Sequence, residues 1–384
     1  MRILVIGHSL HPRWFGGEPR VAHLVLKALK GCGFRVRVMT MPPNVIRWRI
    51  LAGSFGSDPY THLYEKYITK FKPSIVMLWY DVVLDSATHL LKLAKKLNFK
   101  LVFSIHCHWL WCPKVVYYCL YDKRLNCETC LKLTMLRRAI NYAKLYLRQY
   151  RRKMLLLKKL LEEYVEHYKI IVPSKFMSVL VHRILGVPRS NIELIYNGVD
   201  IDLFKPMAYK ASKPTLLFVG ALERHKGFHH YLMLVNELKR RGLNVEAYAV
   251  GKGSLAYLAR RSSIKYYGVV PDNELVRLYS RAWAVVIPSL WPEPFPLVPL
   301  EAASCGTVPV AYSVGGLTES CNLVGGLLVK RGSISKLVQT VEELLTNNDH
   351  FTIHQRGIAC RDKIVKRFRV EHMVNGYIKV ISSL

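Results

Sequence analysis

Short apolar runs alternate with longer amphipathic stretches along the first half of the chain. Ile3–Gly7, Arg35–Met39, Ser74–Trp79, Leu101–Ile105 and Ile170–Val172 read as strands. Pro19–Leu29 and Asp85–Leu97 carry helical periodicity. Pro19 suits a first helical turn, and Gly31 to Gly33 closes that helix. A further long helix precedes Ile170. The second half repeats the pattern, with strands at Thr215–Val219, Asn244–Val250, Ile264–Tyr267, Ala284–Ile287 and Val308–Ala311. Helical stretches such as Phe228–Arg241 and Asp272–Arg281 lie between them. This alternation predicts parallel, doubly wound sheets. The polar segment Lys205–Lys213 marks a boundary, so two similar α/β domains with a cleft between them are expected. In open α/β sheets, ligands bind at the carboxyl ends of the strands.

Composition adds a constraint on partners. The 384 residues include 57 Lys and Arg against 26 Asp and Glu, a formal net charge of +31. Such a balance points to nucleic acid, an anionic membrane surface or a phosphorylated substrate. No interleaved aromatic–basic motif of a nucleic-acid module is present, so no nucleic-acid partner is expected. From Thr129 to Leu161 there is no acidic residue, but there are ten basic ones. The apolar positions Leu136, Ile140, Ala143, Leu147, Tyr150, Met154, Leu157 and Leu161 fall on one helical face. Arg137, Arg138, Lys144, Arg148, Arg151, Arg152, Lys158 and Lys159 supply the charge. Such a helix either lies on an anionic membrane or packs on its own domain with a solvated basic face. No run approaches the ~18 apolar residues of a membrane span. Met1–Gly7 is too short for a signal-peptide core. A cytoplasmic protein, peripheral on the inner face of the membrane if the helix binds it, is expected. Of nine cysteines, Cys112, Cys119, Cys127 and Cys130 cluster. They are either weak metal ligands or reduced thiols in a structural loop.

Several segments carry candidate chemistry. Gly16-Gly17-Glu18-Pro19 opens a helix, where backbone can approach an anion closely or simply turn. It is not Gly-x-Gly-x-x-Gly, so a nicotinamide cofactor is not expected. His106 ends an apolar strand, beside Cys107 and His108. Alternation along an extended chain lets only His106 and His108 converge, and a single active-site histidine is the better reading. Phe218–Gly227 runs strand, loop and helix start, with Arg224 and Lys226 as fixed cations suited to a diphosphate or to a basic surface. Glu293 and Glu301 flank an otherwise apolar, proline-rich stretch, Phe295-Pro296-Leu297-Val298-Pro299-Leu300. Buried carboxylates need polar partners, and sugar hydroxyls with a ribose diol would serve. Pro299 fits only near a helix start, which places Glu293 in a loop and Glu301 in a first turn.

These segments, in their order, resemble glycosyltransferase family 4 (group 1), the retaining GT-B enzymes, over nearly the full length. The resemblance rests on Gly16-Gly17-Glu18, Ser104–Trp109, Ile171–Lys175, Ile195–Asp200, Val219–Gly227, the Glu-x7-Glu segment Pro288–Ala302, and Gly315–Glu319. It implies a GT-B fold of two Rossmann-like, doubly wound domains facing a central cleft. An acceptor-side domain would span 1–205 and a nucleotide-sugar-binding domain 206–364, with a C-terminal helix at about 365–384 packing back on the first. It further implies transfer of a sugar from a nucleotide sugar to an acceptor hydroxyl, with retention and no cofactor; with the basic helix and net charge, a glycan or lipid-linked acceptor at the membrane surface is expected. By carry-over, Gly16, Gly17, Arg224, Lys226, Phe295, Pro296, Leu297 and Glu301 bind the donor. Lys226 neutralises its diphosphate and Glu301 holds the ribose, while Glu293 and His106 are catalytic at the sugar. Three positions depart from the family: Ala221, where an arginine is common, Cys107 after the histidine, and Pro296 in place of glycine. A non-catalytic nucleotide-sugar-binding protein and a GT-B nucleotide-sugar epimerase are the alternatives.

Overall fold

The computed structural model describes residues 1–7, 10, 17–40, 61–79, 84–108, 140–207 and 210–384. Gly16, Arg137, Arg138, Cys112, Cys119, Cys127 and Cys130 lie outside these residues. The chain divides into two compact units, Met1–Ile195 with Val374–Leu384, and Tyr196–Met373.

The first unit is built on six parallel strands: β1 (Arg2–Gly7), β2 (Arg35–Thr40), β3 (Ile75–Trp79), β4 (Lys100–Ser104), β5 (Tyr168–Val172) and β6 (Ile192–Leu194). Their order is β2-β1-β3-β4-β5-β6. The chain winds outward from β1 in one direction and from β3 in the other, so the order reverses between β1 and β3. All five residues of β3 are buried, as expected of a strand covered on both faces. The unit's helices are α1 (Gly17–Gly31), α2 (Thr61–Phe71), α3 (Leu84–Leu97), α4 (Ile140–Glu163) and α5 (Lys175–Leu185). Ser174 caps α5 by accepting from the Met177 amide, and Gly186, in the left-handed region, ends it.

Helix α4 answers the question left open by its periodicity. Leu157, Leu160 and Leu161 are buried in the first unit's core, with Tyr150 and Met154 packed against it. Lys153 pairs with Asp85 of α3 at 2.6 Å. From Tyr150 to Leu161 the apolar stripe is therefore used within its own unit. Arg148, Arg151, Arg152 and Lys159 remain exposed, and Lys158 is half-buried. Beside them, Leu155 and Leu156 are 65% and 43% exposed. Lys144 lies on the helix, but its side chain is outside the described set. Among the described residues no helix is long and apolar enough to cross a membrane.

The second unit carries β7 (Thr215–Val219), β8 (Glu246–Val250), β9 (Lys265–Gly268), β10 (Ala284–Ile287), β11 (Val308–Ser313) and β12 (Leu327–Lys330), all parallel, in the order β12-β11-β10-β7-β8-β9. Here the order reverses between β7 and β10. Its helices are α6 (Phe228–Arg240), α7 (Ala256–Arg260), α8 (Asp272–Arg281), α9 (Val298–Ser304), α10 (Gly315–Leu323), α11 (Ile334–Thr346) and α12 (His350–Arg367). The last helix, α13 (Val370–Ser382), carries the chain from the second unit into the first. The divide falls at Ile195–Tyr196, ahead of the expected 205. Asn197 donates to the Phe295 carbonyl at 3.0 Å and Val199 bridges to Arg369, which commits this stretch to the second unit.

Lys210 is buried, and among the described residues no carboxylate pairs with it. Its ammonium donates to the Ala282 carbonyl at 2.7 Å and to Thr307 Oγ1 at 2.6 Å. Burial pulls its pKa from 10.5 down to about 7. The unfolded chain therefore binds the extra proton between pH 7 and 10.5, while the folded chain does not. Stability from this group is weakest below about pH 7 and rises toward pH 10.5, by at most about 1.4 kcal/mol per pH unit. Urea titrations of the wild type and Lys210→Met across that window should diverge, the variant lacking this rise. Parallel pH curves would refute the assignment.

Candidate functional site

The candidate residues of the second unit gather at the carboxyl ends of β7 and β10, the two strands flanking its reversal of order. That is the position at which open α/β sheets leave a crevice. The β7 strand runs into a loop, Gly220 to Gly227, that ends at α6. Gly227 has φ +71, and a Cβ there would meet the Pro288 carbonyl oxygen at 1.7 Å. Only glycine lets the loop lie directly on the segment that follows β10. The Leu290 amide completes the seam by donating to the His225 carbonyl at 2.8 Å.

This seam brings together residues 67 positions apart. Lys226 Nζ lies 2.9 Å from Glu293 Oε2 and 4.8 Å from the centre of the Trp291 ring. Glu293 is 5% exposed. Its backbone is clamped as well, since its carbonyl accepts from the Gly316 amide at 2.6 Å. A Cβ on Gly316 would come within 1.8 Å of the Pro294 carbonyl, so the start of α10 seats against this segment only because it is Gly-Gly. Glu301 sits in the first turn of α9, as Pro299 predicts. It is 7% exposed and accepts from the Tyr279 hydroxyl at 3.0 Å. The partners of both carboxylates thus include protein groups, where the sequence suggested only ligand hydroxyls.

The intervening residues divide between structure and surface. Phe295 is buried against Tyr196, with ring centres 5.3 Å apart. Leu297 is buried and caps α9, its carbonyl accepting from the Glu301 amide. Pro296 is half-buried and has no N–H to give.

Arg224 is exposed, and no ion pair holds it among the described residues. Around the loop, three histidines are kept from charging. Burial, and then the neighbouring Lys226, lowers the pKa of His225. Burial and Arg224 lower that of His229. Burial and His229 bring that of His230 to about 4, where its Nδ1 lies 2.8 Å from the Tyr312 hydroxyl. At neutral pH the positive charge of this loop is therefore that of Arg224 and Lys226.

In the first unit, His106 lies just past the carboxyl end of β4. It is 8% exposed, and its ring stacks on Trp79 with centres 5.1 Å apart. Burial holds its pKa at about 3, so the imidazole is neutral. Its Nε2 is 3.0 Å from Ser104 Oγ and 3.1 Å from the Tyr377 hydroxyl of α13. His108 is fully buried and meets Phe176 edge-on. Among the described residues no three His, Cys, Asp or Glu side chains gather as a metal-ligand set. Gly17 is exposed at the first residue of α1.

Sequence reasoning passed over Trp291, Tyr279, Tyr377 and the histidines after the loop. Trp291 could have been flagged, as an aromatic two residues from a buried carboxylate. Tyr377 lies 271 residues from His106, and nothing local marks it.

Comparison with known proteins agrees with this arrangement. A model for "Glycosyltransferase Family 4" matches residues 15–203, and one for "Glycosyl transferases group 1" matches residues 201–356. The chain is 26% identical over 213 residues to an uncharacterized 41.2 kDa protein in the cps region of Klebsiella pneumoniae, covering 52% of this chain and 57% of that one. It is 29% identical over 214 residues to a glycogen synthase of Mycobacterium tuberculosis, covering 53% and 51%. The aligned part thus spans about half the length of these curated relatives. The crystal structure of Anabaena HepE in complex with UDP superposes with a TM-score of 0.70 at 17% identity, all of each chain being covered. Two parallel six-stranded sheets of this topology, matched in succession by these two glycosyltransferase models, place the chain among the group 1 (family 4) glycosyltransferases of the GT-B fold.

Proposed function

We propose that the chain transfers a sugar from a nucleotide-sugar donor to an acceptor hydroxyl, with retention of the anomeric configuration. The observation that carries the reading is the Lys226–Glu293 pair at the reversal point of the second sheet. A diphosphate is a stronger partner for Lys226 than one carboxylate, because it brings more charge and more acceptor oxygens. Its arrival releases Glu293 from the ammonium and frees its oxygens for the hydroxyls of the transferred sugar. Arg224 and Lys226 then meet the charge that develops on the departing nucleotide, without a metal ion. Glu301 accepts from the ribose hydroxyls, exchanging or sharing the Tyr279 bond.

The donor is tested by a panel of UDP-, GDP- and ADP-sugars. UDP-glucose comes first, because HepE has been captured with UDP-glucose. Transfer or slow hydrolysis of one donor is the expected result. Binding without turnover across the panel would replace the enzyme by a non-catalytic binder, and epimerised product would replace it by an epimerase. Glu301→Ala should weaken every donor that shares the accepted nucleotide by roughly tenfold or more, the scale of a lost charged hydrogen bond. An unchanged Kd would remove the ribose assignment.

The acceptor we propose is a glycan or lipid-linked hydroxyl at an anionic membrane. Support comes from the exposed Arg148, Arg151, Arg152 and Lys159 around Leu155 and Leu156. Co-sedimentation with phosphatidylglycerol vesicles should be strong at low salt and fall as salt rises. Replacing Leu155 and Leu156 by Ser should weaken it, and absence of binding at low salt would discard the membrane reading.

A further inference from the structure

The loop that carries Arg224 and Lys226 holds one acid, Glu223. Its carboxylate is engaged outside the loop. Glu223 Oε1 accepts from the Ser254 amide at 2.7 Å, and Oε2 accepts from the Ser254 hydroxyl at 2.5 Å. Ser254 belongs to the loop that follows β8, so the two-point grip latches one loop to its neighbour. Burial raises the Glu223 pKa, but the Ser254 hydroxyl and amide outweigh it and hold the carboxyl below its ordinary value. The group is therefore charged at neutral pH.

The loop has two separate attachments. Its first half lies along the β8 side. The Gly220 amide donates to the Val250 carbonyl at 3.0 Å, the Leu222 amide donates to that of Lys252 at 2.9 Å, and the Leu255 amide returns to the Leu222 carbonyl at 2.9 Å. Gly251 permits this contact, since a Cβ there would lie 1.9 Å from the Gly220 carbonyl oxygen. The second half lies on the segment after β10, through Gly227 and the Leu290 amide. Glu223 stands where the halves meet, one residue before Arg224 and three before Lys226.

Charge alone gives no reason for an acid at this corner. Arg224 is exposed, without an ion pair among the described residues, and an unattached carboxylate beside it would compete for it. A carboxylate also repels a diphosphate. A loop that needed only positive charge would be better without Glu223. What the acid supplies is a fixed corner, and its grip on Ser254 keeps it off the cations.

We propose that Glu223 is a positioning residue: by gripping Ser254 it holds the corner of the loop, so that Arg224 and Lys226 stand ready for a nucleotide diphosphate instead of being ordered by it. Preorganisation of this kind spares the complex the cost of immobilising two long side chains. This role rests on the reading of Arg224 and Lys226 as the diphosphate cations, but the latch itself does not.

Two variants separate position from charge. Glu223→Ala cuts the latch. Glu223→Gln keeps it, because the amide oxygen accepts from the Ser254 N–H while the NH2 group donates to the Ser254 hydroxyl. Binding of UDP should weaken about five- to tenfold in Glu223→Ala, the scale of the ordering cost, and be no weaker than wild type in Glu223→Gln. Uridine, which lacks the diphosphate, should bind all three proteins alike. Loss of a negative charge by itself predicts the opposite sign, tighter UDP in both variants. Unchanged or tighter UDP binding by Glu223→Ala, or uridine weakened in step with UDP, would overturn the proposal. GDP with guanosine, or ADP with adenosine, replaces this pair if the donor panel selects it. Amide hydrogen exchange of the full chain reads the latch with no nucleotide present. The peptide carrying Arg224 to Gly227 should exchange faster in Glu223→Ala and at the wild-type rate in Glu223→Gln. Equal rates in all three proteins would also overturn it. If the wild type binds no nucleotide, the donor reading falls and the exchange rates alone decide the latch.

Discussion

Replacing Lys226 by Ala should lower kcat on the accepted donor by about 100- to 1,000-fold, the range seen when one preorganised group that stabilises developing charge is removed. The physical reason lies in the position of the ammonium, in a loop fixed at Gly227 and beside the ring of Trp291. Little reorganisation is left for the moment of reaction. The same substitution has a second effect, because Glu293 at 5% exposure loses its cation. Breaking a fully buried pair costs about 3–5 kcal/mol, and the partial exposure of Lys226 reduces that here to about 1–2 kcal/mol. The two effects separate in a double variant. Lys226→Met with Glu293→Gln removes both charges, so thermal stability should recover while turnover stays low. Turnover by Lys226→Ala within about threefold of wild type would show that the leaving group is neutralised elsewhere.

Gly227→Ala should be the most damaging small substitution in the second unit. Its φ of +71 strains any residue with a Cβ, at about 1–2 kcal/mol. The new methyl would also meet the Pro288 carbonyl oxygen at 1.7 Å. The loop and the segment after β10 must then part, and the Lys226–Glu293 distance opens with them. A loss of about 3 kcal/mol or more, a fall in Tm of several degrees and loss of donor binding are expected together. Gly242→Ala supplies the control. That glycine has φ +84, but nothing lies within 4 Å of its Cβ position, so only the strain remains. Equal destabilisation by the two substitutions would mean that the close approach at Pro288 contributes nothing.

Much of the fold is legible in the chain because it depends on local pattern. The central strands are apolar runs buried on both faces, and Pro299 announces the start of α9 that places Glu301 in a first turn. What the pattern does not mark is short or half-polar. The edge strand β6 is only Ile192-Glu193-Leu194, none of it fully buried, and β12 is four residues with two exposed. Neither carries a periodicity long enough to read. The start of β8 moves from the expected Asn244 to Glu246, because the Val245 amide donates to the Leu243 carbonyl in a tight turn.

The sequence marks the candidate residues singly and not the pairs they form. Lys226 and Glu293 each stand out for their charge, but their pairing follows from strand order, which puts β7 beside β10. Glu301 and Tyr279 meet because α8 and α9 pack near one another, and no spacing rule anticipates it. The basic stretch carries an apolar stripe, yet one stripe serves a membrane or a protein core equally well. Only the burial of Leu157, Leu160 and Leu161 shows that this one is used internally.

Tyr377 gives the molecule a particular order of assembly. A ribosome releases the first unit's strands, Ser104 and His106 long before it reaches α13. Domains that emerge first usually fold first. Through the whole synthesis of the second unit, the nascent first unit holds His106 with Trp79 and Ser104, the Tyr377 hydroxyl still unmade. The histidine's environment is finished only when α13 returns to the first unit, so a site begun before the second unit is translated is completed after it.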